Sequence, residues 1–435
     1  MVFTIAACWN LHIPFVSLSP DQKKLSISPH LAHLNIGCAL AAPDVELDTS
    51  IPTDILDQSF IESCSSDQRV KYSEPPTRIA KDSNQIFGVF YSSGSSGAPK
   101  LIPLKRRQLY HARQAAAVRL KPAANHSWML CLPPYHIGGT AVILRSLGYG
   151  NAIHLVPRFE KKVIKDLLKN ESSIQAASMV PTMLRRLLDL SDFEVHTNFK
   201  GILLGGGPID SSLVSEATGR GIPVINSYGM TETCAQITSH RIGPETAAAK
   251  RDSVGKVFTP NQIQIRSENG EVLESDQTGL IWLKGPQVFD GYIEASLNEH
   301  HFDPDGWFNT GDYGYMDRKG YVYISMRRTD QIVSGGKNIN PHEIEQLLLE
   351  WSQIKEVAVV GIPDTEWGEQ AIAVVIPADS DHFPTYEALK RYLESRVESY
   401  KIPKSIAVRD QLPKTPVGKI KRIELKKELA NSIRD

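Results

Sequence analysis

The chain has 435 residues, with 48 Lys plus Arg against 49 Asp plus Glu and a formal net charge of -1. So even a balance offers no single-sign field for nucleic acid or an anionic membrane, and no apolar run reaches the roughly 20 residues of a membrane helix. A small-molecule partner is expected, with no nucleic acid and no membrane span. Five cysteines (Cys8, Cys38, Cys64, Cys131, Cys234), scattered and never in a C-x-x-C pair, argue against a disulfide framework or a zinc site and point to a reducing, cytoplasmic compartment. The 13 His residues contain no H-E-x-x-H, so any metal should arrive with the substrate.

In chain order, Ile5-Ala6-Ala7-Cys8 has the outline of a lipoprotein cleavage site, but no basic residue precedes it. Up to about residue 83 short apolar runs mix with polar stretches, and Ile51 to Glu74 reads as an exposed linker. From Gln85 onward, β-like runs (Ile86 to Tyr91, Ser127 to Leu132, Gly201 to Leu204, Pro223 to Asn226) alternate with helical stretches (Lys161 to Lys169, Pro181 to Leu190), the rhythm of an α/β domain. One apolar strand ends in Gly205-Gly206-Gly207, a helix capped by Asp210 follows, and the next strand runs into Tyr228-Gly229. Ligands of open α/β sheets bind at such strand ends. Beyond Gly255 the pattern is strand-rich (Gln262 to Ile265, Gly279 to Lys284, Tyr321 to Ser325) and closes before Arg327-Arg328-Thr329-Asp330. A compact unit comes last: helix Pro341 to Glu350, strands Glu356 to Ile362 and Ala371 to Ile376, helix Tyr386 to Glu398 and a basic tail.

The sharpest local signal is Ser92-Ser93-Gly94-Ser95-Ser96-Gly97-Ala98-Pro99-Lys100. Glycines let backbone N–H groups approach phosphate, hydroxyls donate hydrogen bonds and Lys100 brings positive charge. A flexible Ser/Gly linker has a similar composition, but here a buried-looking strand precedes the loop and Pro-Lys follows it. It is not a Walker loop, which needs G-x-x-x-x-G-K-[ST]. The stretch resembles the phosphate loop of the adenylate-forming superfamily of acyl-CoA synthetases, adenylation domains and luciferases. The resemblance continues in order through Tyr228-Gly229-Met230-Thr231-Glu232-Thr233, Trp307 to Asp312, Arg327 to Asp330 with Ser334-Gly335-Gly336-Lys337, and Pro416-Val417-Gly418-Lys419.

That resemblance implies an α/β fold: a large adenylate-forming N-terminal domain (α/β subdomains plus a β subdomain, residues 1–326), a hinge at 327–330 about Thr329, and a small mobile C-terminal α/β domain (331–435). It implies ATP, Mg²⁺ and coenzyme A. Thr231 would meet the ATP phosphates, Glu232 would hold Mg²⁺, Asp312 the ribose, and Lys419 would bridge the substrate carboxylate and the α-phosphate. Ser334 to Lys337 would line the CoA channel, and His136 the acyl pocket. Singly, each has a bland reading: Glu232 as a helix-start carboxylate, Asp312 as a turn former, Lys419 as a solvated lysine, His136 as a turn histidine.

Leu203 to Pro208, Ser227 to Gln236, Ser253 to Lys256 and Pro134 to Gly139 resemble the o-succinylbenzoate-CoA ligase family of menaquinone and phylloquinone biosynthesis. The expected acid is then a small aromatic dicarboxylate, with an unnamed second contact for the benzoate. Other aryl- or fatty-acyl-CoA ligases and a non-catalytic nucleotide-binding relative are the alternatives, and a homo-oligomer is left open. Relatives usually carry a longer segment before the phosphate loop, so exposed apolar sheet surface, with poor solubility or a compensating partner, is expected.

Overall fold

The computed structural model describes residues 1–11, 13–17, 39–41, 53–55, 83–92, 100–120, 126–207, 209, 211–243, 246, 250–327, 332–334, 337–364, 367–379, 384–414 and 420–432. Helix α1 (Val2–Leu11) leads into β1 (Phe15–Val16). Strands β2 (Ala39–Ala41) and β3 (Thr53–Ile55), the latter within the stretch expected to be a linker, pair with each other in parallel. With β4 (Ile86–Ser92) and β5 (Lys100–Lys105), β1 completes a three-stranded sheet. The Ile5-Ala6-Ala7-Cys8 stretch lies inside α1, whose Ile5 and Trp9, one turn apart, are buried. Arg106, fully buried at the start of α2 (Arg106–Leu120), donates from its guanidinium to the carbonyls of Cys8 and Trp9 at 2.9 and 2.7 Å. It thereby ties down the last turn of α1, where the Cys8 carbonyl also accepts from Ile13 N at 3.1 Å.

The central layer is built from β6 (Ser127–Leu130), α3 (Ile137–Tyr149), β7 (Ala152–Leu155), α4 (Lys161–Asn170), β8 (Ile174–Met179), α5 (Pro181–Leu188), β9 (Gly201–Leu204), α6 (Ser211–Gly219), β10 (Val224–Met230), β11 (Ala235–Ile242) and β12 (Lys256–Val257). The seven strands run β12-β11-β10-β9-β8-β6-β7, parallel from β7 to β10 and antiparallel through β11 and β12. The inner strand β9 reads as an unbroken apolar run, Gly-Ile-Leu-Leu, buried throughout, because both faces are covered. Helix α5 starts on Pro181 and buries Met183, Leu184, Leu187 and Leu188, the stripe its sequence pattern foretold. At the β7 edge Leu155 is 52 % exposed and Leu147 of α3 is 44 % exposed.

Next comes an antiparallel sheet, β13 (Gln262–Arg266), β14 (Gly279–Lys284), β15 (Phe308–Met316) and β16 (Val322–Arg327), with α7 (Ala295–His301) before β15. The last sheet holds β17 (Ile332–Ser334) and β18 (Lys337–Ile339). After α8 (Pro341–Leu349) it adds β19 (Ile354–Asp364) and β20 (Gly368–Pro377), then α9 (Tyr386–Glu394), β21 (Ser405–Val408) and α10 (Arg422–Ser432). Asn340 and Thr385 cap α8 and α9 by accepting from the backbone N–H groups of His342 and Ala388. The stretch expected to be a basic tail contains α10, which buries Leu425 and Leu429 in a cluster with Val360, Ile372 and Val374. Each such leucine contributes about 1.5 to 3 kcal/mol. Helix α9 stops at Glu394, short of the expected Glu398, and Asp210 lies outside the described residues. Among the described residues no helix is long and apolar enough to cross a membrane.

Candidate active site

The hairpin between β10 and β11 carries Tyr228, Gly229, Thr231 and Glu232, with Thr231–Thr233 forming one 3₁₀ turn. The register slips at Tyr228/Gly229, where a Cβ on Gly229 would lie 2.0 Å from the carbonyl oxygen of Ala235; only glycine fits. Just after Glu232, Cys234 and Ala235 take left-handed φ values of 54° and 82°, a strain of about 1 to 3 kcal/mol each. Two side chains hold it. Thr233 Oγ1 accepts from Met230 N at 3.0 Å and donates to Ala235 O at 2.7 Å, while fully buried Gln287 donates from Nε2 to the carbonyls of Thr233 and Gln236 at 2.7 and 2.6 Å. Phe289 N donates to Glu232 O, and Tyr292 Oη donates to Glu232 Oε1 at 2.9 Å. The carboxylate is thus buried and aimed. Burial and that adjacent carboxylate push the Tyr292 phenol pKa up, so Tyr292 stays a donor.

Two other sheets reach the same hairpin. Asp312 of β15, 3 % exposed, accepts at Oδ2 from Tyr228 Oη at 2.7 Å. Lys100, the first residue of β5, sets its ammonium 4.9 Å from the Tyr292 ring centroid and 3.1 Å from His301 Nε2. Cationic, anionic and hydroxyl groups from three sheets therefore converge beside Glu232. No cluster of three or more His, Cys, Asp or Glu suited to a metal exists among the described residues. With Tyr228 holding Asp312, Glu232 as the protein's carboxylate fits an Mg²⁺ that keeps most of its ligands as water and phosphate oxygens.

The other expected residues are placed as follows. Gly205, Gly206 and Gly207 follow β9, Gly206 at φ +77° and Gly205 so close to Ser227 that a Cβ would sit 2.7 Å from its Oγ. His136 is the N-cap of α3 without a side-chain cap bond, its ring 4.7 Å from that of Tyr135. Arg327 ends β16 opposite Asp312, and buried Ser334 pairs with Lys337 across β17 and β18. Ser92 ends β4. Ser93, Gly94, Ser95, Ser96, Gly97, Gly335, Gly336, Lys419 and the hinge residue Thr329 lie outside the described residues.

The sequence reading missed Tyr292, His301 and Arg145. Arg145 projects from α3 and is 5 % exposed. Its guanidinium lies 4.8 Å from the Trp128 ring centroid, and Nη1 donates to Gln236 Oε1 at 2.8 Å. No carboxylate pairs with it among the described residues, its Nε has no partner, and burial brings its pKa down to about 10, still charged at neutral pH. Together with Arg113, Ala141, Cys234 and Gln236 it lines a small cleft directly behind the Glu232 hairpin. Its signal was in the sequence: a single cation within Thr140-Ala141-Val142-Ile143-Leu144-Arg145-Ser146, where a buried charge demands a reason.

Residues 1–293 match the family model of the AMP-binding enzyme and residues 343–419 that of its C-terminal domain. A 2-succinylbenzoate-CoA ligase of Listeria monocytogenes is 36 % identical over 355 residues, 82 % of this chain and 73 % of the relative. One from Enterococcus faecalis is 33 % identical over 422 residues, 97 % and 84 % of the two. The solved o-succinylbenzoate CoA synthetase of Bacillus subtilis, in complex with its acyl-adenylate intermediate, superposes with a TM-score of 0.83 at 32 % identity, covering 98 % of this chain and 85 % of that one. The same protein bound to ATP and a magnesium ion gives a TM-score of 0.83 at 31 % identity, over 98 % and 86 %. With both parts of its length matched in order, this mixed α/β chain belongs to the AMP-binding enzyme family.

Proposed function

We propose that the chain is an ATP-dependent acid-CoA ligase that converts o-succinylbenzoate, ATP and CoA into o-succinylbenzoyl-CoA, AMP and diphosphate, a step of menaquinone or phylloquinone biosynthesis. The observation that carries the reading is the meeting of Lys100, Glu232 and the Tyr228–Asp312 pair from three sheets at one hairpin, in a chain similar throughout to 2-succinylbenzoate-CoA ligases. A carboxylate is a poor electrophile. Its oxygen attacks the α-phosphorus, the bond to the β-phosphate breaks, and diphosphate leaves; the CoA thiolate then attacks the acyl carbon and AMP departs.

On this reading Lys100, Thr231 and residues 92–97 bind the phosphates. Gly205, Gly206, Gly207, Tyr228 and Gly229 form the wall against the nucleotide, and Asp312, flanked by Arg327, takes the ribose. Glu232 would hold the Mg²⁺ that arrives with ATP, which would neutralise phosphate charge. Lys419 aligns the two anions for attack. Domain boundaries at 326 and 331 let the C-terminal unit turn so that Ser334, Gly335, Gly336 and Lys337 line the CoA channel. His136 caps the start of α3 and Arg145 projects from its second half, and on this reading both face the acyl group, Arg145 supplying the cation for the benzoate carboxylate, whose binding would replace the missing counter-charge.

The test is diphosphate release with Mg-ATP and CoA, comparing o-succinylbenzoate with benzoate, a cinnamate and a medium-chain fatty acid. Release strongly favouring o-succinylbenzoate is expected. Preference for another acid would keep the chemistry and discard the pathway; silence with all four would sink the proposal.

A further inference from the structure

Lys100 and His301 are 201 positions apart, yet Nζ and Nε2 approach to 3.1 Å. The other imidazole nitrogen, Nδ1, lies 3.0 Å from the backbone carbonyl oxygen of Asn309. A carbonyl can only accept, so Nδ1 carries the proton, and Nε2 is left with its lone pair toward the ammonium. The ring is held on its faces and edges by Tyr292 and Phe308, with centroids at 5.2 and 5.9 Å. It closes α7, whose last turn meets β15. Burial, with Lys100 and His300 nearby, keeps the imidazole pKa below its usual value. A neutral acceptor is therefore built from packing and a backbone bond, and it is aimed at one lysine.

We propose that His301 is a positioning residue for Lys100: as a neutral imidazole accepting from the ammonium, it fixes that charge beside Tyr292 and Glu232, ready for the ATP phosphates. The inference rests on the reading of Lys100 as a phosphate contact. A free lysine loses about 2 kcal/mol of rotamer entropy when it is immobilised, and His301 has imposed much of that order before ATP arrives. One N–H bond goes to His301, and the others remain for phosphate oxygens.

Calorimetric titration of the full chain with Mg-ATP tests this in the native protein and in His301→Ala, His301→Gln, Lys100→Met and the Lys100→Met/His301→Ala double variant. His301→Ala should weaken Mg-ATP binding about 3- to 10-fold, the net worth of one typical hydrogen bond. His301→Gln, which keeps an acceptor, should recover most of the loss, and the double variant should bind no worse than Lys100→Met alone. Unchanged affinity in His301→Ala, or an equal further loss on top of Lys100→Met, would overturn the proposal, since a purely structural histidine acts without regard to Lys100. Should His301→Ala fail to fold, ¹⁵N-histidine spectra decide: Lys100→Met must move the His301 Nε2 resonance, and an unmoved resonance overturns the inference. Absence of Mg-ATP binding by the native chain would instead remove the reading on which the inference stands.

Discussion

Arg145 is a buried cation with no carboxylate beside it among the described residues, and a protein of marginal stability keeps such a group only where something anionic visits. Arg145→Met should therefore raise KM for o-succinylbenzoate about 10- to 100-fold, the worth of a charge-assisted bond, with KM for ATP unmoved. The same variant should unfold at a higher temperature than the native chain when no ligand is present, because an unpaired desolvated charge has gone. Steady-state kinetics and a thermal melt check the two halves; a drop in both affinity and melting temperature would assign Arg145 to the scaffold. For Lys419, the expected result is loss of adenylation in Lys419→Ala, read as diphosphate release, while ready-made acyl-adenylate is still consumed with CoA. Lys100, Glu232 and Asp312 were legible because they sit in motifs that resemble those of the family. Tyr292, His301 and Arg145 were not, since each acquires meaning only from a neighbour far away in the chain.

At the scale of elements, α10 is tied down by a buried cluster. Glu345 of α8 accepts from Arg422 Nη1 and Nη2 at 2.6 and 2.8 Å and from Val359 N at 2.6 Å, with His342 Nδ1 at 3.1 Å. Burial works to raise the Glu345 pKa, but Arg422 and His342 outweigh it and bring the carboxyl down to about 2. A depressed carboxyl pKa stabilises the fold above its unfolded value near 4.5 and loses that contribution as pH falls toward about 2. Glu345→Gln should thus destabilise by about 3 to 5 kcal/mol at pH 7, and its deficit relative to the native chain should shrink by pH 3. Urea unfolding at the two pH values measures the difference, and a deficit independent of pH would contradict it. The sequence made α4, α5 and α8 readable through apolar stripes. It hid α3, where Ile137 and the run from Gly139 to Ser146 are all buried and leave no period to read, and α10, where charges crowd around the apolar positions Leu425 and Leu429.

For the whole molecule, the α/β class and the strand-rich stretch before Arg327 were visible because periodicity changes there from mixed to alternating. The order of the seven strands was not, since pairing is decided by packing that one sequence does not display. If the small C-terminal unit turns between the two half-reactions, Gly336→Trp should spare adenylation and reduce thioester formation at least tenfold, about 1.4 kcal/mol. Single-turnover assays of each half separate the outcomes, and equal losses would place Gly336 outside the CoA path.

Because Lys100 and Asp312 belong to two separate sheets and Glu232 to the turn that joins two strands of a third, catalysis and secondary structure have different thresholds. Loosening the contacts between sheets by a fraction of an ångström would scatter the three charges while every ladder of backbone bonds survived. In rising denaturant, activity should vanish before far-ultraviolet dichroism changes, and Mg-ATP, which on the proposed reading touches all three layers at once, should act as a clamp that brings the two curves together.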